Sequence, residues 1–266
     1  MKAKPQRLDA LLVERGLAGN RSRAQAMIMA GSVRVSGEVV TKSGTRLPPS
    51  DELDLSVETP ERFVSRAGEK LEAALEEFSV SVEGRLCVDA GASTGGFTDA
   101  LLDRGASRVV AVDVGYGQLD WKVRNDERVE VMERTNVRHL SGGDLPFPPD
   151  LLVADLSFIS LKVALGGLLS TTPSLTEAVV LVKPQFEAGR EHVGRGGVVK
   201  DEAVHEAVIL AVSKSLSEHG FGAADVMRSP VAGRKSGNRE YVMRLLRGIE
   251  ASLDESKIRG VVRGEG

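Results

Sequence analysis

Four residues of this chain stand where chemistry is easiest to build: Asp155 in LLVADLSFISL, Lys183 in AVVLVKPQFE, Glu240 in GNREYVMRLL and Lys70 in FVSRAGEKLEAAL. The first three flank the ends of apolar, strand-like runs, on the side where an open α/β sheet binds ligands. The fourth lies on a helix-like segment ahead of them. Two lysines and two carboxylates can move a proton or orient a reacting group. A lysine ordinarily holds its proton near neutral pH; burial or a neighbouring cation would make it an acceptor, whereas carboxylates beside it pull the other way. Any one of the four alone reads as a solvated strand-end charge, but four in this order are harder to dismiss.

A second constellation precedes three of them. In RLCVDAGASTGGFTDALLDRG an apolar strand (86–90) runs into a glycine-rich turn and an amphipathic helix (95–104). Gly91, Gly95 and Gly96 allow backbone to approach a ligand closely, with Ser93, Thr94 and Phe97 in the same turn and Asp89 at the strand end. The next strand, VVAVDVG, ends in Asp113, about twenty residues on, where a carboxylate can accept hydrogen bonds from both hydroxyls of an adenosine ribose. A dinucleotide fingerprint needs G-x-G-x-x-G, and here Ser93 occupies the second glycine position, while Asp89 would sit badly beside a pyrophosphate. S-adenosylmethionine carries an ammonium, a sulfonium and one carboxylate, so it tolerates an acid beside the glycines and is the cofactor the turn predicts.

The elements that must position these residues alternate. Helix 66–78, strand 86–90, helix 95–104, strand 108–113, helix 117–125, strands 129–133 and 151–155, helix 160–169, strand 178–183, helix 201–219 and terminal strands near 223–229 and 239–246 are expected. Repeated βα units with a closing hairpin predict an α/β fold: a doubly wound, Rossmann-like sheet, mostly parallel, with an antiparallel edge strand.

Ahead of it lies a different composition. Residues 1–49 hold nine Lys/Arg against three Asp/Glu, a net +6; with the whole chain at −3, the remainder carries −9. Leu8, Leu11 and Leu12 form one helical stripe, Asn20 can cap a second helix displaying Arg21 and Arg23, and VRVSGEVV reads as a small hairpin turning at Ser36-Gly37. A strand and then a linker are expected within the acidic stretch 50–61. The helix–turn–helix and hairpin resemble the S4 RNA-binding domain, on the ordered match RLD…LV.RGL…SR..A…I..G.V.V.G. That resemblance implies phosphate contacts by Arg7, Arg21, Arg23, Lys42 and Arg46, which position RNA without reading it.

Composition narrows the classes. Hydrophobic residues at 41% and charged residues at 27% describe an ordinary globular protein. No run of about 18 apolar residues exists, and the N-terminus is charged where a signal peptide would be apolar, so a cytoplasmic protein without a membrane span is expected. Cys87, the single cysteine, sits in an apolar run and reads as core packing. His139, His192, His205 and His219 are scattered and suggest no metal site.

Across nearly its whole length the chain resembles the TlyA family, historically called haemolysins, and more widely the FtsJ-type ribose 2′-O-methyltransferases. The segments VSRAGEKL, DAGASTGGFTDALLDRGA, VDVGYGQLDWKVRND, ERTNVR, ADLSFISL, LVKPQFEAGR and GRGGVVKD carry it. The resemblance implies an S4-like domain over 1–59, a linker at 60–64, a methyltransferase domain over 65–250 and a C-terminal tail at 251–266. It implies methyl transfer from S-adenosylmethionine to a cytidine of ribosomal RNA, free or in a ribosomal subunit. Its Lys-Asp-Lys-Glu tetrad falls on Lys70, Asp155, Lys183 and Glu240, with Glu187 the alternative for the last place, and it puts Asn136 near the adenine. A ribose hydroxyl is a weak nucleophile and needs a base, for which Lys183 is the candidate. Two other functions stay in view. A pore-forming toxin would need apolar helices of about 20 residues or a series of ten-residue alternating strands, and neither is present. An RNA-binding scaffold with a dead catalytic domain would not need all four tetrad residues.

Overall fold

Leucines at i, i+3 and i+4 must be covered, and the N-terminal segment covers them by folding back on itself. The computed structural model describes residues 5–29, 31–47, 54–57, 62–231, 238–250 and 253–265, and the chain divides into two compact units, 1–61 and 62–266. In the first, β1 (Gln6–Arg7) leads into α1 (Leu8–Glu14), followed by α2 (Arg21–Met29), β2 (Val33–Val35), β3 (Glu38–Val39), β4 (Arg46–Leu47) and β5 (Leu55–Val57). Asn20 caps α2, its Oδ1 accepting from the Arg23 amide at 2.8 Å. The hairpin turns at Ser36 and Gly37 with φ of 50° and 85°, the mirror-image turn that matches strand twist. Leu8, Leu12, Ala18, Ala24, Ile28 and Val33 make a small core.

That core also buries a charge. Asp9 is wholly inaccessible and accepts from Arg7 at 2.9 and 3.0 Å, Arg21 at 3.2 Å and Gln25 at 2.8 Å. The Arg7 hydrogen bond holds its carboxyl well below the usual carboxylate range. Arg7 and Arg21, expected only at phosphates, therefore also neutralise Asp9, and Arg21 with Gln25 ties α2 to α1 through it, because an unpaired buried carboxylate would be costly. Arg23, Lys42 and Arg46 are exposed.

Residues 60 and 61 of the expected linker lie outside the described residues, as do 48–53 and 58–59. Phe63 of the same linker is buried in the core of the second unit, 4% exposed, because it fills the space over Gly68 that a Cβ would occupy.

The second unit contains α3 (Ala67–Glu77), β6 (Leu86–Ala90), α4 (Gly96–Asp103), β7 (Arg108–Val112), α5 (Trp121–Arg124), β8 (Val129–Met132), β9 (Leu151–Ala154), α6 (Leu161–Ala164), α7 (Gly166–Thr171), β10 (Glu177–Val182), α8 (Pro184–Glu187), α9 (Glu202–Ser217), β11 (Phe221–Arg228), β12 (Tyr241–Arg247) and α10 (Glu255–Arg263). Seven strands form one sheet in the order β11-β12-β10-β9-β6-β7-β8. β12 is antiparallel to both neighbours, and the pairs from β10 to β8 are parallel. The closing hairpin thus supplies one edge, with its reversed strand one place in.

Alternation along the strands builds two cores. Val88, Val110, Leu152 and Val180 face α6, α7 and α9, whereas Cys87, Val109, Leu151 and Val179 face α3 and α4. Both faces are covered, so the central strands β6, β7, β9 and β10 are near-continuous apolar runs. Cys87 is wholly buried and burial pushes its thiol up to about 12, which leaves it a packing residue. The expected helix 117–125 shrinks to α5, since the segment before it is bound by the Asp113 and Glu133 carboxylates to the Gly115 and Gly117 amides. The expected tail contains α10, whose Ile258 and Val262, one turn apart, are buried in the larger core. The strand order reverses between β9 and β6, opening a crevice at their C-terminal ends.

Candidate active site

At that crevice the loops after β6, β9 and β10 and the start of α3 surround a cleft of about 700 Å³. Lys70, Asp155, Lys183 and Glu240 all line it. They come as two ion pairs: Lys70 Nζ donates to Glu240 Oε2 at 2.6 Å, and Lys183 Nζ lies 2.5 Å from Asp155 Oδ1. The lysines are each 8% exposed and Glu240 4%, so the charges are largely desolvated. Lys183 also donates to Ser157 Oγ at 2.9 Å. Glu187 does not line the cleft; it accepts from Ser160 Oγ at 2.6 Å and the Leu161 amide at 2.7 Å, capping α6, and burial raises its carboxyl.

The glycine turn meets the same cleft through Gly91, Ala92, Ser93, Thr94 and Phe97. Gly95 and Gly96 do not line it. A Cβ on Gly95, whose φ is 94°, would lie 2.8 Å from Leu119 Cδ1, and one on Gly96 would lie 2.2 Å from Ser65 Oγ. These two glycines serve close packing of α5 and of the segment before α3, not a cavity. Asp113 and Asn136 also stand outside the lining. Asp113 Oδ2 accepts from the Ser93 amide at 2.8 Å and Oδ1 from the Gly115 amide at 2.6 Å, so the acid braces the glycine turn. Asn136 is exposed, its Oδ1 accepting from the Arg138 amide at 3.1 Å.

Asp89 lies beneath the turn, fully buried, with Oδ2 accepting from Thr98 Oγ1 at 2.7 Å and Oδ1 unpartnered. Burial pushes its carboxyl up to about 7. The folded protein therefore holds this proton more tightly than the unfolded chain, whose aspartates titrate near about 4, and the resulting stability declines as pH rises from about 4 through about 7. Asp89→Asn should change stability little at pH 4 and raise it at pH 8, as read by denaturant unfolding without ligand. A variant equally destabilised at both values would refute the argument.

Several cleft residues were not anticipated. Ser65 Oγ is buried and unpartnered beside Lys70, and Gln185 Oε1 likewise. Phe158 is 91% exposed at φ of 66°, a strained backbone for an aromatic residue, and its ring stands 5.1 Å from that of Phe186. Asn238 donates to Gly197 O at 2.8 Å and accepts from the Val199 amide at 3.1 Å, holding the glycine turn on the opposite rim. Ser65, Ser157 and Phe158 adjoin the charged residues within VSRAGEKL and ADLSFISL, the one signal that could have found them.

A doubly wound sheet with one reversed strand, a glycine turn after its first strand and two buried lysine–carboxylate pairs at its switch point define the class: an α/β methyltransferase domain. Comparison with known proteins agrees. The FtsJ-like methyltransferase model matches residues 63–247 and the S4 domain model residues 6–53. A Mycobacterium tuberculosis protein named 16S/23S rRNA (cytidine-2′-O)-methyltransferase TlyA is 46% identical over 98% of this chain and 97% of its own. Hemolysin A of Brachyspira hyodysenteriae is 40% identical over 89% and 98%. A hemolysin-named structure from Streptococcus thermophilus aligns with a TM-score of 0.74 at 39% identity, over 98% of this chain and 95% of that one. The chain belongs to the FtsJ-like methyltransferase family, among its TlyA relatives, with an S4 domain in front.

Proposed function

We propose that this chain transfers a methyl group from S-adenosylmethionine to the 2′-hydroxyl of a cytidine ribose in ribosomal RNA. The observation that carries the reading is the pair of desolvated lysine–carboxylate contacts facing one cleft beside the glycine turn. The name of the Mycobacterium tuberculosis relative supplies the cytidine and the ribosomal RNA. The buried, unpartnered Ser65 hydroxyl and the Ala92–Thr94 backbone fit a small zwitterionic ligand, and Asp113 fits a ribose at the far side of the turn. When bound, S-adenosylmethionine supplies an electrophilic methyl on a sulfonium.

The chain's own part is to present the nucleophile and take its proton. A neutral amine has two N–H groups and one lone pair. Once Lys183 Nζ has released one proton, with Ser157 accepting from it and the Asp155 carboxylate in ion-pair contact beside it, the lone pair is the position left for the ribose hydroxyl. Lys70, held by Glu240, sits in the same cleft and orients the attacking oxygen. The exposed face of Phe158 receives the base of the target nucleotide by stacking. Arg23, Lys42 and Arg46 in the N-terminal unit contact phosphates. Such work belongs in the cytoplasm, and among the described residues no helix is long and apolar enough to cross a membrane.

The test is direct. Incubated with methyl-labelled cofactor and ribosomal RNA, the protein should place label in 2′-O-methylcytidine after nuclease digestion. Label confined to base-methylated nucleosides, or none, would overturn the reading. Arg23→Glu with Lys42→Glu should weaken RNA binding and flatten its logarithmic salt slope by about 0.7–0.9 for each phosphate that is no longer neutralised, leaving cofactor affinity unchanged.

A further inference from the structure

Large apolar side chains left in water are normally scattered singly. One segment departs from this: Val114, Tyr116 and Trp121 are 67%, 68% and 79% exposed within eight residues. Trp121 is the chain's single tryptophan and Tyr116 one of two tyrosines. The exposure is built and does not come from a frayed loop. The Gly115 amide donates to Asp113 Oδ1 at 2.6 Å, the Arg134 amide to Gly115 O at 3.0 Å and the Gly117 amide to Glu133 Oε1 at 2.8 Å, while Arg124 pairs with the same glutamate.

Cations accompany the rings. The Arg134 guanidinium lies 4.2 Å from the Tyr116 ring centroid, and Arg134 keeps a φ of 53°, a backbone unusual outside glycine. Lys122 and Arg124 follow Trp121 on α5, paired with Asp99 and Glu133. Aromatic faces interleaved with cations suit unpaired nucleobases on a phosphate backbone, because every base has a face to stack and the cations meet the phosphates. A buried protein interface would instead favour a core depleted of charge.

We propose that Tyr116 and Trp121, with Arg134 beside them, form a second RNA-binding surface, on the catalytic unit, where unpaired bases of the substrate stack. The proposal rests on the RNA-methylating reading. The surface begins one residue after Asp113, so RNA held there lies next to the acid that braces the glycine turn.

The single tryptophan is its own reporter. The whole chain, both units together, is excited selectively at tryptophan and titrated with deproteinised large-subunit ribosomal RNA, with RNA retention on filters measured in parallel and free tryptophan as the absorbance control. Emission should be quenched as RNA binds and recover as salt releases it, with S-adenosylmethionine alone leaving it unchanged. Trp121→Ala, at an exposed site that does not threaten folding, should weaken RNA affinity about ten-fold or more, and Trp121→Phe less. RNA retained on filters with constant emission, and with Trp121→Ala binding as wild type, would overturn the surface while leaving the functional reading intact. Quenching by cofactor alone would assign the rings to the cofactor, and quenching by intact ribosomal subunits but not by bare RNA would assign them to a ribosomal protein; either overturns the proposal. Failure of the wild-type protein to retain RNA at all would remove the functional reading and the proposal together.

Discussion

Lys183→Ala should abolish methyl transfer, by about 10²–10⁴-fold if general-base help is what disappears, while cofactor and RNA still bind. The loss falls on the transition state, because in the ground state the side chain's partners are Asp155 and Ser157 of the protein itself. Lys183→Arg separates two roles. Arginine preserves charge and donors but cannot release a proton at accessible pH. If Lys183 takes the ribose proton, Arg fails as fully as Ala under single-turnover conditions. An inactive Ala beside an active Arg would show instead that the position contributes charge or steers the hydroxyl, and the base assignment would be wrong.

Glu240→Ala should lower stability by about 3–5 kcal/mol, the cost of leaving one member of a buried ion pair unpartnered. Lys70 Nζ is 2.6 Å from Glu240 Oε2, and both side chains are largely withdrawn from water. Replacing both partners, as Lys70→Met with Glu240→Leu, should restore much of the stability, since neither charge is then stranded. Activity should stay abolished. Denaturant unfolding and single-turnover methyl transfer on the same preparations check both halves. A Glu240→Ala protein as stable as wild type would mean that the pair is hydrated, and an active double variant would reduce it to a structural role.

Much of this protein was legible in its sequence because the signals are local. Strand 86–90 coincides with its expected bounds, and strand 108–113 and helix 95–104 lie within a residue of theirs, because continuous apolar runs bounded by glycine leave little choice. The four charged residues lie at strand ends or on the helix ahead; the parallel strands β9 and β10 carry Asp155 and Lys183 to one crevice, and the antiparallel β12 begins there with Glu240 just before it. Charge segregation between the head and the rest is likewise a property of composition alone.

Tertiary structure decided what depends on partners distant in the chain. Lys70 and Glu240 are 170 residues apart, and no spacing rule says which lysine meets which carboxylate. Glu187 and Glu240 are equivalent as letters, yet one caps α6 and the other enters the cleft. Gly95 and Gly96 look like ligand-binding glycines, but the atoms that forbid a Cβ there belong to Leu119, Val123 and Ser65, brought in by packing. Arg7 and Arg21 read as free cations until α1 and α2 close over Asp9 and claim them. The residues after 250 read as a tail because one turn of spacing between Ile258 and Val262 is too short a signal to predict a docked helix. In each case residue type and local pattern determined which group was available, and only the fold determined what it faced.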